Sequence, residues 1–348
     1  MKTKLIKAQK LEKILITMFS RAGLTASAAS SVSKSLVETS LRGVDSHGIR
    51  LAPHYLNAII CGRVNPKPLF SFKKTASGTG ILNADHALGI ISGLAAIDKA
   101  LALAKKNGIG AVAVKNSSHF GAAAIYTLRA AKKGFLGFAF THTESLVVPF
   151  AGKKPVLGTN PISFSAPCYG EDPICLDMST TNLTWNKLQM LKNQKASIPA
   201  GWAVDKFGEI TTSHKLAEFL TPVGSYKGYG LALMVEILCS LLSGGKLGTQ
   251  IAPMIPMNKQ KRHLSHFFMA INIRAFTSVN IFSKRIKSLV QNLRLQSPAK
   301  GFDEIMVAGD PEKKNFKKRF KIGIPVSEDL LKDLEGLMTM LKMDRIIF

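Results

Sequence analysis

A segment of nine residues concentrates titratable side chains around two glycines. It reads Arg42-Gly-Val-Asp-Ser-His-Gly-Ile-Arg50. Glycine lets a backbone approach a ligand closely, a histidine can relay a proton near neutral pH, and an arginine can hold a carboxylate through two parallel hydrogen bonds. The combination suits a site that holds the carboxylate of an acid while its hydroxyl is oxidised. A capped helix start is the alternative interpretation.

A second histidine follows a predicted strand. Residues Ile109–Val114 form a short apolar run that predicts a buried strand, and Asn116-Ser-Ser-His-Phe-Gly121 comes directly after it. Side chains at the C-terminal end of such a strand commonly face a ligand crevice. There His119 would be placed for general acid–base work. The alternative is a histidine whose ring is satisfied by local backbone groups.

Three further segments are rich in turn-forming residues. They are Gly158–Pro161, Leu176–Thr181 and Gly224–Gly230. Loops with the composition of the first two can bind phosphate or ribose through backbone N–H and hydroxyl groups, although ordinary turns look the same. In the third, Lys227 stands at a predicted helix N-terminus, which is a natural anion site. A solvated lysine on a glycine-rich turn is the alternative there.

Several established motifs are absent from the sequence. The nearest approach to the GxGxxG dinucleotide fingerprint is Gly108-Ile-Gly110, which precedes a strand instead of following one. Neither a P-loop nor a GxSxG nucleophile elbow is present. His263 and His266 have no third ligand near them in sequence, so we interpret them as two surface histidines and predict no metal site.

The composition favours a folded α/β enzyme. The chain has 348 residues, of which 46% are hydrophobic, enough for a real core and two domains. The apolar stretch Leu231–Leu242 is interrupted by Glu236 and is too short to cross a bilayer, so we expect no membrane association. Four scattered cysteines form no CxxC pair, which indicates a reducing compartment and a cytoplasmic protein.

The charge is strongly basic. Lysine and arginine number 47 against 22 aspartates and glutamates, a formal net charge of +25. Much of the excess lies in two terminal clusters, Lys2–Lys13 and Lys313–Lys321, and Phe316 and Phe320 interleave with the second. The charge would suit a nucleic acid or attract anionic substrates. We expect no nucleic-acid partner, because no nucleic-acid-binding motif accompanies it.

Hydrophobic periodicity predicts the elements that must position these residues. Residues 4–40 look helical with one break at Arg21–Gly23, after which Thr25 is the predicted N-cap. Further helices are predicted over 51–60, 90–107, from Gly121 to Lys133, and over 228–242, 283–295 and 327–341. Strands are predicted over 70–83, 109–114, 135–140 and 267–273, with strand and loop over 147–181.

Taken together and in this order, the selected segments resemble the type-2 malate/L-lactate dehydrogenase family. The pieces that carry the resemblance are Asp45–Arg50, His119-Phe-Gly121, Gly158-Thr-Asn-Pro161 and Lys227-Gly-Tyr-Gly230. The family includes ureidoglycolate, sulfolactate and diketogulonate enzymes and imino-acid reductases. The resemblance runs from the first helix to about Pro325, and Val147–Phe150 and Ser197–Gly208 look closest to the ureidoglycolate branch.

The resemblance implies an α/β fold that is not a Rossmann fold. A central mixed-sheet domain, residues 116–299, would bind NAD or NADP. A helical and mixed domain for substrate binding and dimerisation would be built from both chain ends, residues 1–115 and 300–348. Members of the family are typically homodimers with the site near the subunit interface, so a homodimer is expected.

The resemblance also implies roles for individual residues. His119 matches the proton acceptor, and Ser46, His47 and Arg50 match residues at the substrate and nicotinamide. The expected cofactor-binding residues are Thr143, Thr159, Asn160, Asp177, Met178, Ser179 and Lys227. Arg50 would then hold the carboxylate of a small 2-hydroxy or 2-oxo acid while His119 removes the hydroxyl proton.

The sequence departs from the family pattern at several glycines. Asn186, Ser225 and Ser265 stand where glycine is usual, and Ala308-Gly-Asp-Pro311 replaces the usual proline–glycine piece. The segment Pro256–Arg262 is more basic than expected. Loss of glycine where backbone meets a ligand could weaken binding.

Three functions therefore follow from the sequence in decreasing order of preference. The first is an NAD(P)-dependent oxidoreductase acting on a 2-hydroxy acid such as malate, lactate or ureidoglycolate. The second is a catalytically weakened homologue that acts as a binding protein, and the third is a nucleic-acid-binding protein. The identity of the acid and the choice between NAD and NADP stay open at this point.

Overall fold

Helices and strands alternate along most of the chain, of which this computed structural model describes residues 3–344. The strands are β1 (Thr3–Ile6), β2 (Ser71–Ala76), β3 (Thr79–Asn83), β4 (Ile109–Ser117), β5 (Phe135–Thr141), β6 (Ile162–Ala166), β7 (Ile174–Met178), β8 (Ala203–Val204), β9 (Phe219–Leu220), β10 (Leu264–Asn272) and β11 (Ile324–Ser327). The α-helices are α1 (Ala8–Arg21), α2 (Ala26–Leu41), α3 (Ala52–Ile60), α4 (Gly89–Asn107), α5 (Ala124–Lys132), α6 (Trp185–Asn193), α7 (Tyr226–Glu236), α8 (Val279–Arg294), α9 (Asp310–Ile322) and α10 (Glu328–Met340).

A seven-stranded mixed sheet forms the centre, in the order β2-β3-β4-β10-β5-β6-β7. Only β3 and β4 are parallel neighbours, and the other pairs are antiparallel. The middle strand β10 buries Phe268 completely between Val112 of β4 and Ala139 of β5. The expected strands over 70–83, 109–114, 135–140 and 267–273 are all present in this sheet.

Gly108 and Gly110, which come nearest to a dinucleotide-binding fingerprint in the sequence, have structural roles. Gly108 ends α4 with a φ of +83°, the left-handed conformation that favours glycine. A Cβ on Gly110 would lie 2.1 Å from the carbonyl oxygen of Ala100, so α4 packs on β4 only because this residue has no side chain. The two glycines thus shape the helix–sheet contact.

The two ends of the chain pair with each other. β1 runs antiparallel to β11, with Thr3 opposite Ser327 and Ile6 opposite Ile324. The helix predicted from residue 4 was therefore wrong over its first residues, because a partner strand more than 300 residues away overrides the local helical pattern. Buried side chains of α1, α2, α3 and α10 pack in one hydrophobic cluster with this ribbon.

The ribbon also brings the terminal basic clusters together, since Lys7 Nζ donates to the carbonyl oxygen of Lys321 at 2.6 Å. Lys313 is buried and forms ion pairs with Glu171 at 3.1 Å and Asp310 at 3.4 Å.

The central sheet contains strands from both sides of residue 115. The expected domain boundary at that position stays a prediction. Within residues 3–344, no helix is long and apolar enough to cross a membrane.

One of the two histidines interpreted as surface residues is placed differently from our expectation. His266 is fully buried in β10, with Nδ1 2.7 Å from Thr141 Oγ1 and Nε2 2.8 Å from Ser117 Oγ. His263 is half-buried, with Nδ1 3.0 Å from Asn116 Oδ1. The interpretation of His266 as a surface residue was wrong, because β10 is an interior strand with neighbours on both sides, whereas His263 precedes β10 and keeps part of its surface exposed.

One of the lost glycines carries backbone strain. Ser225 precedes α7 with φ +62° and ψ −124° and makes no side-chain capping hydrogen bond. These angles match the first central position of a type II′ turn, where glycine is the favoured residue. The sequence analysis expected this position to matter for ligand binding, and the structure adds a conformational cost.

We predict that Ser225→Gly raises the free energy of unfolding by about 0.5–1 kcal/mol, because relief of left-handed strain exceeds the entropic cost of glycine. Urea denaturation monitored by circular dichroism measures the change. Ser278→Gly is the matched control, since Ser278 caps α8 at φ −68° and accepts from Ile281 N at 3.2 Å. That control should lose a few tenths of a kcal/mol, and a Ser225→Gly protein that also loses stability would contradict the strain argument.

Candidate functional site

One edge of the central sheet gathers most of the segments that the sequence analysis selected. β4, β5 and β7 end at this edge, and β6 and β10 begin there, because each of the latter is antiparallel to its neighbours. The residues next to these strand ends are His119, Thr143, Thr159, Ser179 and Arg262. Strand pairing therefore brings together positions that are far apart in the sequence.

A cavity of about 520 Å³ lies at this edge. Its walls come from the end of α2, the turns that precede α3, the start of α5, β7, the start of α6 and the segment 306–312. The predicted site residues that line it are Ser46, His47, His119, Thr143, Thr159, Asp177, Met178 and Ser179. Those that do not line it are Arg50, Asn160 and Lys227.

His119 is held by a tyrosine that the sequence analysis missed. Tyr55 of α3 is buried, and its Oη lies 2.8 Å from His119 Nδ1, which leaves Nε2 as the available ring nitrogen. Burial raises the pKa of Tyr55, so the phenol stays protonated and can either donate to the ring or accept from it. No motif in the sequence connects residues that are 64 positions apart.

His47 stacks against His119. The two ring centroids are 5.7 Å apart at an interplanar angle of 26°, and Ser46 Oγ lies 2.9 Å from His47 Nδ1. Burial lowers the pKa of His47 to about 4, and burial together with the neighbouring His47 holds the pKa of His119 well below its usual value. Both rings are therefore neutral at pH 7, the state in which a histidine can accept a proton.

A buried ion pair supplies positive charge beside these histidines. Arg262 is 3% exposed, pairs with Glu144 and donates from Nε to the carbonyl oxygen of Ala252 at 3.0 Å. Glu144 lines the cavity. The Arg262 charge further lowers the pKa of His119 and of His54, after the larger effect of burial. The sequence analysis noted Arg262 only as part of a basic segment.

The hydroxyl and carboxyl groups at the other strand ends are tied to one another. Thr159 N donates to Thr143 Oγ1 at 3.2 Å, and a Cβ on Gly158 would lie 2.2 Å from that same oxygen. Asp177 Oδ2 accepts from Ala124 N at 2.8 Å, at the N-terminus of α5. Desolvation by the surrounding cavity walls raises the pKa of Asp177 to about 6, although part of the residue is exposed.

The predicted residues outside the cavity have different surroundings. Asn160 is fully buried, and its Nδ2 donates to the Ala232 carbonyl and to Glu236 Oε2, both at 3.0 Å, so it joins the loop to α7. Arg50 and Lys227 are exposed. Contacts of these three residues with a ligand stay predictions.

The other two lost glycines differ in position. Asn186 lines the cavity, and its Nδ2 donates to the Ser46 carbonyl at 3.4 Å. A polar side chain therefore stands beside the candidate site at a position where glycine would have none. Ser265 is fully buried outside the cavity, where its N–H donates to His142 Nε2 at 2.9 Å. Asn186 is therefore the one of the two that reaches the cavity wall.

The sequence analysis also missed the contribution of the segment 306–312. Cys175 N donates to the Ala308 carbonyl at 3.0 Å, which fastens the segment to β7. Gly309 has φ +95°, and a Cβ there would lie 3.1 Å from Cys175 N. Helix α9, which was not predicted, begins next to it at Asp310. The departure at residues 308–311 thus lies in the cavity wall.

We predict that stability falls as the pH drops from about 6.5 to about 3, because buried His266 has a pKa lowered to about 3. The unfolded chain takes up a proton near pH 6.5 that the folded chain refuses, so the loss is about 1.4 kcal/mol per pH unit for this histidine. Urea unfolding at pH 6, 5 and 4 measures the slope. For His266→Asn, the slope of the unfolding free energy against pH should be smaller by that amount. Equal slopes for the variant and the wild type would contradict a buried neutral ring.

Comparisons with known proteins show the family and the fold of the chain. The family model described as malate/L-lactate dehydrogenase matches residues 6–335. Malate dehydrogenase of Pyrococcus abyssi is 33% identical over 342 residues, covering 95% of this chain and 93% of the relative. Ureidoglycolate dehydrogenase (NAD(+)) of Escherichia coli is 31% identical over 325 residues, with 93% of each chain covered. The structure of sulfolactate dehydrogenase from Methanocaldococcus jannaschii has a TM-score of 0.91 at 32% identity and covers 98% of both chains. The expected fold class is confirmed.

Proposed function

The chain belongs to the malate/L-lactate dehydrogenase family, and from that premise we propose that it transfers a hydride between NAD or NADP and a small 2-hydroxy acid or its 2-oxo acid. The observation that carries the proposal is His119, a neutral histidine at the cavity wall whose Nδ1 is held by Tyr55 at 2.8 Å. The cavity volume of about 520 Å³ is within the range of roughly 300–1,000 Å³ for small-molecule sites.

In the proposed reaction, His119 accepts the proton of the substrate hydroxyl at Nε2. Tyr55 fixes the ring and can serve either tautomer, so it supports the reaction in both directions. His47 and Ser46 orient the substrate oxygen from the adjacent wall. The nicotinamide ring, when bound, supplies the hydride acceptor or donor. Positioning and neutral, desolvated bases account for the contribution of the protein.

Two arginines are candidates for holding the substrate carboxylate. The family resemblance assigned this role to Arg50, which is exposed and does not line the cavity. Arg262 does not line the cavity either, but it is buried and its charge acts on His119. We therefore propose that Arg262 provides the positive field near the reacting carbon, and we retain Arg50 as the carboxylate ligand to be tested.

The proposed cofactor contacts follow the sheet edge. Thr143, Thr159 and the run Asp177–Ser179 all line the cavity. Their hydroxyl, carboxyl and backbone groups suit the polar parts of a dinucleotide. We propose that Asn160 acts indirectly, by holding the loop before β6. Lys227 is kept as a proposed contact on the family resemblance.

Purified protein should oxidise NADH or NADPH in the presence of 2-oxo acids, among which we would assay oxaloacetate, pyruvate and sulfopyruvate. The preferred acid and cofactor then follow from the ratio of kcat/KM values. Binding of a cofactor without turnover of any acid would favour the weakened homologue, in which Asn186 occupies the cavity wall.

We predict that His119→Ala lowers kcat by roughly 10²- to 10⁴-fold, the contribution of a general base, while the Kd for NADH changes less than about twofold. Stopped-flow hydride transfer and fluorescence titration measure the two quantities. His214→Ala, a loop histidine outside the cavity, is the control. Parallel loss of turnover and cofactor affinity would contradict the role of His119.

We also propose a homodimer, and a cytoplasmic location, for this protein. Helix α7 continues into a π-helical segment, Ile237–Leu241. Together with the residue that follows, they expose a set of apolar side chains. They are Leu231, Leu233, Met234, Ile237, Leu241 and Leu242. Contiguous exposed apolar surface of this kind marks interfaces with other chains.

Analytical ultracentrifugation should give about twice the chain mass of 37.7 kDa. The double variant Ile237→Glu/Leu241→Glu should dissociate into monomers, because two buried charges oppose association. Leu295→Glu, at an exposed position beyond α8, is the control and should leave the dimer intact. A wild-type monomer, or dissociation by the control, would contradict this interface.

A further inference from the structure

Arg42 is a buried cation whose guanidinium has an unused hydrogen-bond donor. It is 6% exposed at the C-cap of α2 and lines the cavity. Within residues 3–344, its Nη2 is buried and has no hydrogen-bond partner. A buried donor without a partner is destabilising, and more so when the group is charged. Such an arrangement is expected where a ligand supplies the missing acceptor.

The surroundings of Arg42 do not supply that acceptor. Glu38, one helical turn earlier, is turned to Lys132, with Oε1 2.9 Å from Nζ. Asp177 has its Oδ2 on Ala124 N at 2.8 Å. Desolvation still raises the pKa of Asp177 to about 6, and the Arg42 charge offsets only part of that rise. Arg42 therefore affects Asp177 through electrostatic attraction and not through a hydrogen bond.

The region of the cavity around Arg42 differs from the region around His119. The Arg42 charge acts on Cys175 and Asp177 of β7, and the same cavity is also lined by Ala308–Gly309 and by the start of α5. Apart from Arg42 the charged groups in these walls are carboxylates, of Glu38, Asp177 and Glu312. A single fixed cation in a mostly apolar and acidic wall can hold one anionic group and disfavours a second.

We propose that Arg42 donates from Nη2 to a phosphate oxygen of the diphosphate of the bound dinucleotide. The inference rests on the proposed function, because the dinucleotide must place its nicotinamide at His119. The diphosphate is the anionic group common to NAD and NADP, whereas a 2′-phosphate is present only in NADP. Arginine suits phosphate because its planar donors form short, charge-assisted bonds.

The test is isothermal titration of wild type and Arg42→Met with NADH, ADP, 2′-AMP and adenosine. Arg42→Met should bind NADH and ADP about 10- to 100-fold more weakly, the factor for one charge-assisted hydrogen bond, and should bind adenosine unchanged. Arg42→Lys should give an intermediate loss, because it keeps the charge without the planar donors. Arg285→Met, which removes an exposed arginine from α8, is the matched control.

A thermal melt separates ligand binding from a structural role. Without cofactor, Arg42→Met should melt at or above the wild-type temperature, since it removes an unpaired buried donor, while the rise in Tm on adding NADH should shrink. A lower Tm without cofactor, equal affinity of both proteins for ADP, or a loss confined to 2′-AMP and NADPH overturns the proposal. Wild type that binds no cofactor overturns the proposed function as well, whereas unaltered ADP binding by the variant overturns this inference alone.

Discussion

The insertion of β10 between β4 and β5 is the interaction on which the rest of the structure depends. Backbone hydrogen bonds join Leu264–Ile271 to β4 and His266–Asn272 to β5. A slip of one residue would turn Phe268 out of the core, so the hydrophobic pattern holds the register. The pairing sets the ends of β4 and β5 at one edge together with the start of β10. His119, Thr143 and Arg262 converge for that reason.

Burial then decides the chemistry of the converging groups. The same desolvation that lowers the pKa of His47 to about 4 keeps the imidazole neutral and able to accept a proton. The net charge of +25 is not concentrated in this cavity, whose charged walls are mainly carboxylates with Arg42 as the exception. The lysine excess instead includes the chain ends, which the β1–β11 ribbon holds together.

Sequence reasoning succeeded where the signal is local. The spacing of Ser46 and His47, and the position of His119 after a strand, each depend on neighbours within a few residues, and all three side chains line the cavity. It failed where a distant partner supplies the cause. The strand character of Thr3–Ile6 comes from β11, and the contact between Tyr55 and His119 comes from packing of α3 near the end of β4.

The sequence by itself determined the family, the fold class, the order of most elements and the two histidines that line the cavity, because periodicity and short motifs are properties of adjacent residues. Only the tertiary structure decided which cations reach the cavity. Arg50 belongs to a motif but is exposed, whereas Arg42 and Arg262 are buried at the cavity or beside it. Burial of a charge depends on the walls that long-range pairing builds around it, and no local pattern encodes those walls.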